Sequence, residues 1–143
     1  MGAHAAMTRA FNAQLQASNG ITVTDFEVLR RIGAAPEGAM RRVDLATAVG
    51  LTPSGITRLL DGLQSSGLVR KRGCESDARV TYAAITDAGR ELLYAASQDH
   101  LGALVALFGE HYSEAEMATF VELLGRLPGA EGAETSCPEP PSS

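Results

Sequence analysis

Apolar residues recur at helical spacing through most of the chain, and the most informative segment is Leu51 to Leu63. Ile56, Leu59, Leu60 and Leu63 fall at i, i+3, i+4 and i+7, a stripe that has to be buried against something. Thr52 can accept from the free N–H groups of the first turn. Pro53 suits the first helical position, where its missing N–H costs nothing. The opposite face carries Ser54, Gly55, Thr57 and Arg58, small or hydrogen-bonding residues crowded into the N-terminal half. That is the end a recognition helix puts into the major groove of double-stranded DNA.

The flanks extend the pattern. Val43 to Gly50 makes about two helical turns with Leu45, Ala46 and Val49 on one face, and Gly50 can take the left-handed conformation that ends a helix. Helix, short turn and helix form a helix-turn-helix. Gly67 to Arg72 then reads as a strand leaving a glycine stop, and Val80 to Ile85 as a β-branched return strand. Gly73 to Arg79 is the polar hairpin tip between them, so the unit is a winged helix-turn-helix.

Elsewhere the helical period predicts a first helix over Ala3 to Ala17, ended by Asn19-Gly20, with Ala3, Met7, Ala10 and Phe11 on one side. A second helix starts at Thr22 or Thr24, each of which opens a capping box, and buries Phe26, Val28, Leu29 and Ile32. Ala34 to Ala39 is a loop, and Met40 anchors a short strand. Beyond the wing, Thr86 caps a long helix running to about Phe108, whose apolar belt is broader than one neighbour needs. Ser113-Glu114-Ala115-Glu116 caps a last helix carrying Met117, Phe120, Val121, Leu124 and Leu127, stopped by Pro128-Gly129. From Ala130 the chain is mostly Glu, Pro and Ser and is expected to be disordered. The predicted fold is mainly α, with elements in the order α-α-β-α-α-β-β-α-α.

These residues resemble the MarR-type transcriptional regulators. The resemblance rests on Thr22 to Leu29, Asp44-Leu45-Ala46, Thr57 to Leu63, Gly67 to Arg72, Asp77-Ala78-Arg79 and Ile85 to Gly89, in that order and with family-like spacing from Gly67 to the Asp-x-Arg. It favours Thr22 as the cap of the second helix. It implies a homodimer that binds a near-palindromic site on double-stranded DNA and represses transcription until a small ligand or oxidant releases it. The expected divisions are a dimerisation helix over residues 1–20, a DNA-binding lobe over 21–86, dimerisation helices over 87–127 and a disordered tail over 128–143. On this reading Thr52, Pro53, Ser54, Gly55, Thr57 and Arg58 meet DNA from the helix, and Lys71, Arg72, Asp77 and Arg79 from the wing. Arg79 is the cation for the minor groove, with Asp77 able to orient Arg79 or Arg72. Two departures weaken the wing: Ala78 stands where the family often has a second arginine, and Thr81 where another basic residue is common. Arg41 at the expected N-cap of the first helix of the motif makes that cap weak, and phosphate contact by Arg41 or Arg42 would compensate.

The charge distribution fits this division. The net charge of −5 and pI near 5.1 argue against a DNA binder on average. Residues 30–79, however, hold nine basic and five acidic residues, whereas 80–143 hold two basic and ten acidic. No apolar run reaches the roughly 18 residues of a membrane span, and the start of the chain lacks a signal-peptide layout, so a cytoplasmic location without membrane association is expected. Cys74 and Cys137 form no disulfide framework or zinc spacing. Cys74 beside Arg and Lys suits thiolate chemistry, while a plain exposed thiol is the simpler reading. His4, His100 and His111 give no metal-ligand set. No nucleophile elbow or phosphate loop suggests an enzyme, and no cofactor is expected. Two readings stand: a dimeric regulator released by a small aromatic or anionic effector, and a winged-helix module for protein interaction or architectural DNA binding without a ligand.

Overall fold

The computed structural model describes residues 2–74, 77 and 79–127. Six helices and one three-stranded sheet follow the expected order, with a 3-10 turn added at Pro36–Gly38: α1 (Gly2–Asn19), α2 (Val23–Ala34), β1 (Ala39–Arg41), α3 (Arg42–Val49), α4 (Pro53–Ser65), β2 (Val69–Gly73), β3 (Thr81–Ile85), α5 (Asp87–Gly109) and α6 (Glu114–Leu124). The sheet order is β1-β3-β2, antiparallel throughout.

Local chemistry accounts for the boundaries. Thr22 and Asp25 form a reciprocal capping box at α2, and Asn12 of α1 accepts the Val23 N–H at 2.9 Å, tying the two helices at that point. Thr52 caps α4 through the Gly55 N–H, and Gly50 ends α3 at φ 68°. Ser113 and Glu116 box the start of α6. Arg41 is the N-cap of α3 and supplies no side-chain cap, as its chemistry requires.

Several boundaries differ from the pattern-based expectation, most by one or two residues, and three have a visible cause. Gly67 and Leu68 stay outside the strand, because Gly67 takes φ 74° and the Leu68 N–H turns back to the Leu63 carbonyl at 2.9 Å. Gly73 lies inside it, paired with Thr81. The last helix ends at Leu124, short of Leu127 and Pro128; the N–H groups of Arg126 and Leu127 bond to the carbonyls three residues back, at 3.2 and 3.0 Å, which tightens the chain out of the α-helical spiral. The expected disordered tail lies outside the described residues, as do Glu75, Ser76 and Ala78 of the wing tip.

One core joins the elements. Leu15, Val28, Leu29, Ile32, Leu45 and Ile56 are fully buried and draw α1, α2, α3 and α4 together. Each such side chain contributes about 1.5–3 kcal/mol by leaving water. The α4 stripe buries Ile56, Leu60 and Leu63, with Leu59 packed at its edge. Leu93 and Ala96 bring the first half of α5 into the same core. At its start, α5 approaches the stem of the wing so closely that a Cβ on Gly89 would clash with the Leu68 carbonyl. No helix among the described residues is long and apolar enough to cross a membrane.

Candidate nucleic-acid interface

The surface that would meet DNA is built from the N-terminal half of α4. Burying Ile56, Leu60 and Leu63 turns Thr52, Pro53, Ser54 and Arg58 to solvent, with Gly55 and Thr57 half-buried at the edges. Thr52 Oγ1 accepts from the Gly55 N–H at 3.1 Å and stands 3.3 Å from Ser54 Oγ. A Cβ at Gly55 would press on that same Thr52 oxygen at 3.1 Å, which explains a glycine inside the helix. Thr57 Oγ1 donates to the Pro53 carbonyl at 2.8 Å and accepts from Arg42 Nη1 at 3.4 Å. Arg42, one of the two arginines offered above as phosphate contacts, therefore stands beside the recognition helix. Among the described residues Arg58 makes no hydrogen bond or ion pair, so its guanidinium is available to an incoming base or phosphate.

The wing cations are arranged differently from each other. Lys71 Nζ lies 3.6 Å from Asp61 Oδ1 of α4, and Arg72 Nη2 lies 2.6 Å from Glu37 Oε2 of the 3-10 turn. Asp77 Oδ1 accepts the Arg79 main-chain N–H at 2.9 Å, and the Asp77 carbonyl accepts from the Val80 N–H at 3.1 Å. Asp77 thus shapes the backbone of the tip. Arg79 has no partner for its guanidinium among the described residues and is exposed. Arg41 turns to the sheet, donating from Nε to Tyr82 Oη at 3.3 Å with its guanidinium carbon 5.9 Å from the ring centroid.

Two concave surfaces lie beside and beyond this face, and Arg58 borders the first of them. A cleft of about 450 Å³ opens between the α1–α2 turn, α4 and α5, lined by Asn19, Asp25, Arg58, Leu59, Leu68 and Leu92. Asn19 Nδ2 donates to Asp99 at 3.1 Å, and its buried Oδ1 has no hydrogen-bond partner among the described residues. An apolar groove of about 500 Å³ runs between the end of α5 and α6, lined by Phe108, Tyr112, Met117, Phe120 and Leu123. His100 belongs to neither. It packs between Phe11 and Phe26 at ring distances of 4.9 and 5.4 Å, and burial pushes its imidazole below the ordinary range. Among the described residues no group of three or more His, Cys, Asp and Glu side chains could hold a metal ion.

Comparison with known proteins bears on what this surface is for. The MarR family model matches residues 19–80, which include α2, α3, α4 and β2. The HTH-type transcriptional repressor YetL of Bacillus subtilis (strain 168) is 31% identical over 111 residues, covering 78% of this chain and 66% of that protein, so the chain spans about two thirds of the length of this relative. The crystal structure of AbsC, a MarR family regulator from Streptomyces coelicolor, superposes with a TM-score of 0.74 at 26% identity over 85% of this chain and 81% of that one. Sco3205 from the same organism, solved in complex with DNA, shares the fold with a TM-score of 0.79 at 23% identity, over 96% of this chain and 86% of its own. With its helix-turn-helix, its wing and its flanking helices in the same order, the chain belongs to the MarR family of transcriptional regulators.

Proposed function

We propose that the chain is a homodimeric repressor that reads a near-palindromic DNA site with α4 and the wing and leaves it when a small aromatic or anionic molecule binds. The observation that carries the DNA reading is the pair of guanidiniums without a partner among the described residues, Arg58 on the exposed face of α4 and Arg79 at the wing tip, on one basic lobe of an otherwise acidic chain. Thr52, Ser54 and Thr57 beside Arg58 supply hydroxyls for phosphates and base edges, and Pro53 and Gly55 let the backbone approach closely. Asp77 serves by holding the tip that presents Arg79. Lys71 and Arg72 join once DNA phosphates compete for their carboxylate partners. That Sco3205, a protein of the same fold, was solved in complex with DNA supports DNA as the partner.

Dimerisation is supported by α6, which has an apolar side and not one buried residue. Phe120, Val121 and Leu124 on it, Leu127 just after it, and Leu101 and Val105 on α5 are 44–65% exposed. Patches of this kind mark interaction surfaces in soluble proteins. The dimer parts would be the N-terminal helix and residues 87–127, with residues 21–86 as the reading lobe. Two-fold symmetry would set the recognition helices about one turn of DNA apart, roughly 34–36 Å.

The cleft at Asn19 and Arg58 supports the effector reading, because it adjoins the α1–α2 turn, the recognition helix and α5 at once. Fragments selected from genomic DNA by the protein, followed by footprinting, test the whole proposal. Protection of two half-sites spaced by one helical turn is the expected result. Binding with no preferred fragment would favour an architectural module, and no binding at low salt would favour a protein-interaction module.

A further inference from the structure

Glu37 is the one non-glycine residue with positive φ among the described residues, at φ 56° and ψ 16°. A glutamate there holds a left-handed backbone that a residue with a Cβ adopts only at a cost. Its surroundings explain how it stays. Pro36 fixes the preceding dihedral, the Gly38 and Ala39 N–H groups close the turn onto the Ala35 and Pro36 carbonyls, and Gly38 is itself left-handed and buried, with Arg90 and Ile85 packed where a Cβ would stand. The turn therefore aims the Glu37 carboxylate outward and across the sheet, where it meets Arg72 at 2.6 Å, 35 residues away in sequence.

The sheet register shows what this contact does. Arg41, Tyr82 and Arg72 are direct neighbours across β1, β3 and β2 and so share one face. Lys71 points to the opposite face, toward Asp61. The basic strand of the wing is thus held between two carboxylates from two other elements, one on each face. Asp61 approaches loosely at 3.6 Å, and Glu37 approaches tightly from a turn that geometry holds in place.

We propose that Glu37 is a built-in competitor for the DNA phosphate: it positions Arg72 in the free protein, restrains the wing, and has to be displaced for Arg72 to reach the DNA backbone. The proposal rests on the reading of Arg72 as a DNA contact. Phosphate and carboxylate make the same kind of charge-assisted bond with a guanidinium, so one replaces the other without a change of chemistry. The pair is about half exposed on the arginine side and 71% exposed on the glutamate side, so DNA can reach it without unfolding the turn.

The test is a double-mutant cycle on a duplex selected from a random-sequence pool by the unmodified protein. Glu37→Gln removes the charge and keeps the shape; Glu37→Gly removes the side chain and relieves the left-handed backbone. Both should bind the duplex more tightly, by about 1.5- to 5-fold for an exposed pair, with a salt dependence about one phosphate steeper. Neither gain should survive in an Arg72→Ala background. If Glu37→Gln gives the same gain with and without Arg72, the effect is diffuse repulsion and the proposal fails. If Arg72→Ala weakens binding but Glu37→Gln leaves it unchanged or weaker, Arg72 reads DNA without Glu37 as its competitor, and the proposal fails alone. If Arg72→Ala binds as the parent does, the wing reading falls and the proposal with it.

Discussion

Thr86 Oγ1 donates to the main-chain carbonyl of Gly67 at 2.6 Å. The same oxygen accepts from the Gly89 N–H at 3.1 Å, and the Thr86 N–H donates to the Leu68 carbonyl at 3.1 Å. One residue therefore caps α5 and ties it to the stem of the wing. A tilt of α5 would act on the stem of the wing through these bonds. Thr86→Ala should cost about 1–2 kcal/mol of stability, and Thr86→Ser should restore most of it, as read from urea unfolding midpoints. Equal midpoints for all three would show that the joint is held by packing alone.

The reading surface makes a sharper demand. Arg58→Ala should weaken binding to a selected duplex and relax base preference at one position in each half-site, by about 1–3 kcal/mol if the contact is bidentate to a base. Arg79→Ala should weaken binding most where the flanks are A·T-rich, because a narrow minor groove concentrates negative potential. Binding profiles over a pooled library check both. Parent-like profiles for both variants would remove α4 and the wing from the interface.

The exposed apolar side of α6 leads to a prediction about assembly. If the chain dimerises as proposed, Phe120→Glu or Val121→Glu places a charge where a partner helix would pack and should convert dimer to monomer in sedimentation at micromolar concentration, with two-half-site protection lost. The isolated fold should persist, because α6 contributes no buried residue to it. A dimer unchanged by both substitutions would place the interface elsewhere, and a monomeric parent would contradict the dimer reading.

The His100 site sets the response to pH. Burial between Phe11, Phe26 and α1 pushes the imidazole below its ordinary value of 6.5, so the unfolded chain takes up a proton more readily than the folded one. The stability from this group is then fully present above about pH 6.5 and is lost as pH falls below it. Thermal unfolding from pH 8 to 5 should show a decline that His100→Phe removes. Glu27 adds a separate loss at lower pH. Burial raises its carboxyl, but Arg30 and Arg31 outweigh that and hold it below its usual range of about 4.5.

Much of this architecture could be read from the chain because the signals were local. The period of Ile56, Leu60 and Leu63, the Thr22–Asp25 and Ser113–Glu116 boxes, and the Thr52-Pro53 start each act within a turn of helix, and the elements begin where those residues stand. The same locality predicted the outward face of α4. What could not be read depends on register and on partners far away in sequence. β1 is three residues long, so nothing local shows that Arg41 stands opposite Tyr82. Glu37 looks like any polar loop residue until its left-handed backbone and its contact with Arg72 are seen. Likewise nothing local shows that Lys71 meets Asp61 or that Arg72 meets Glu37, because those carboxylates lie on other elements. The end of α6 was missed because Pro128 was the visible stop, whereas the chain had already tightened after Leu124.

Effector action is tested by reciprocity. A molecule that lowers DNA affinity does so through different affinities for the bound and free arrangements, and a typical coupling of about 1–3 kcal/mol corresponds to a 5- to 150-fold effect. DNA must then weaken the binding of that molecule by the same factor. Titration of salicylate, as a small aromatic anion, against free and DNA-bound protein should give unequal affinities, with the weaker in the complex. Asn19→Ala or Leu92→Trp should reduce both effects if the cleft is the site. Equal affinities in the two states would rule salicylate out as an inducer.

The most direct test of the central claim is an affinity measurement over a range of salt, comparing the selected duplex with a shuffled duplex of the same composition. A sequence-reading lobe predicts binding to the selected duplex tighter by about a thousandfold or more, with affinity falling linearly in log–log form as salt rises and a shallower slope after Arg79→Ala. Equal affinity for the two duplexes, or no binding to either at low salt, would contradict it.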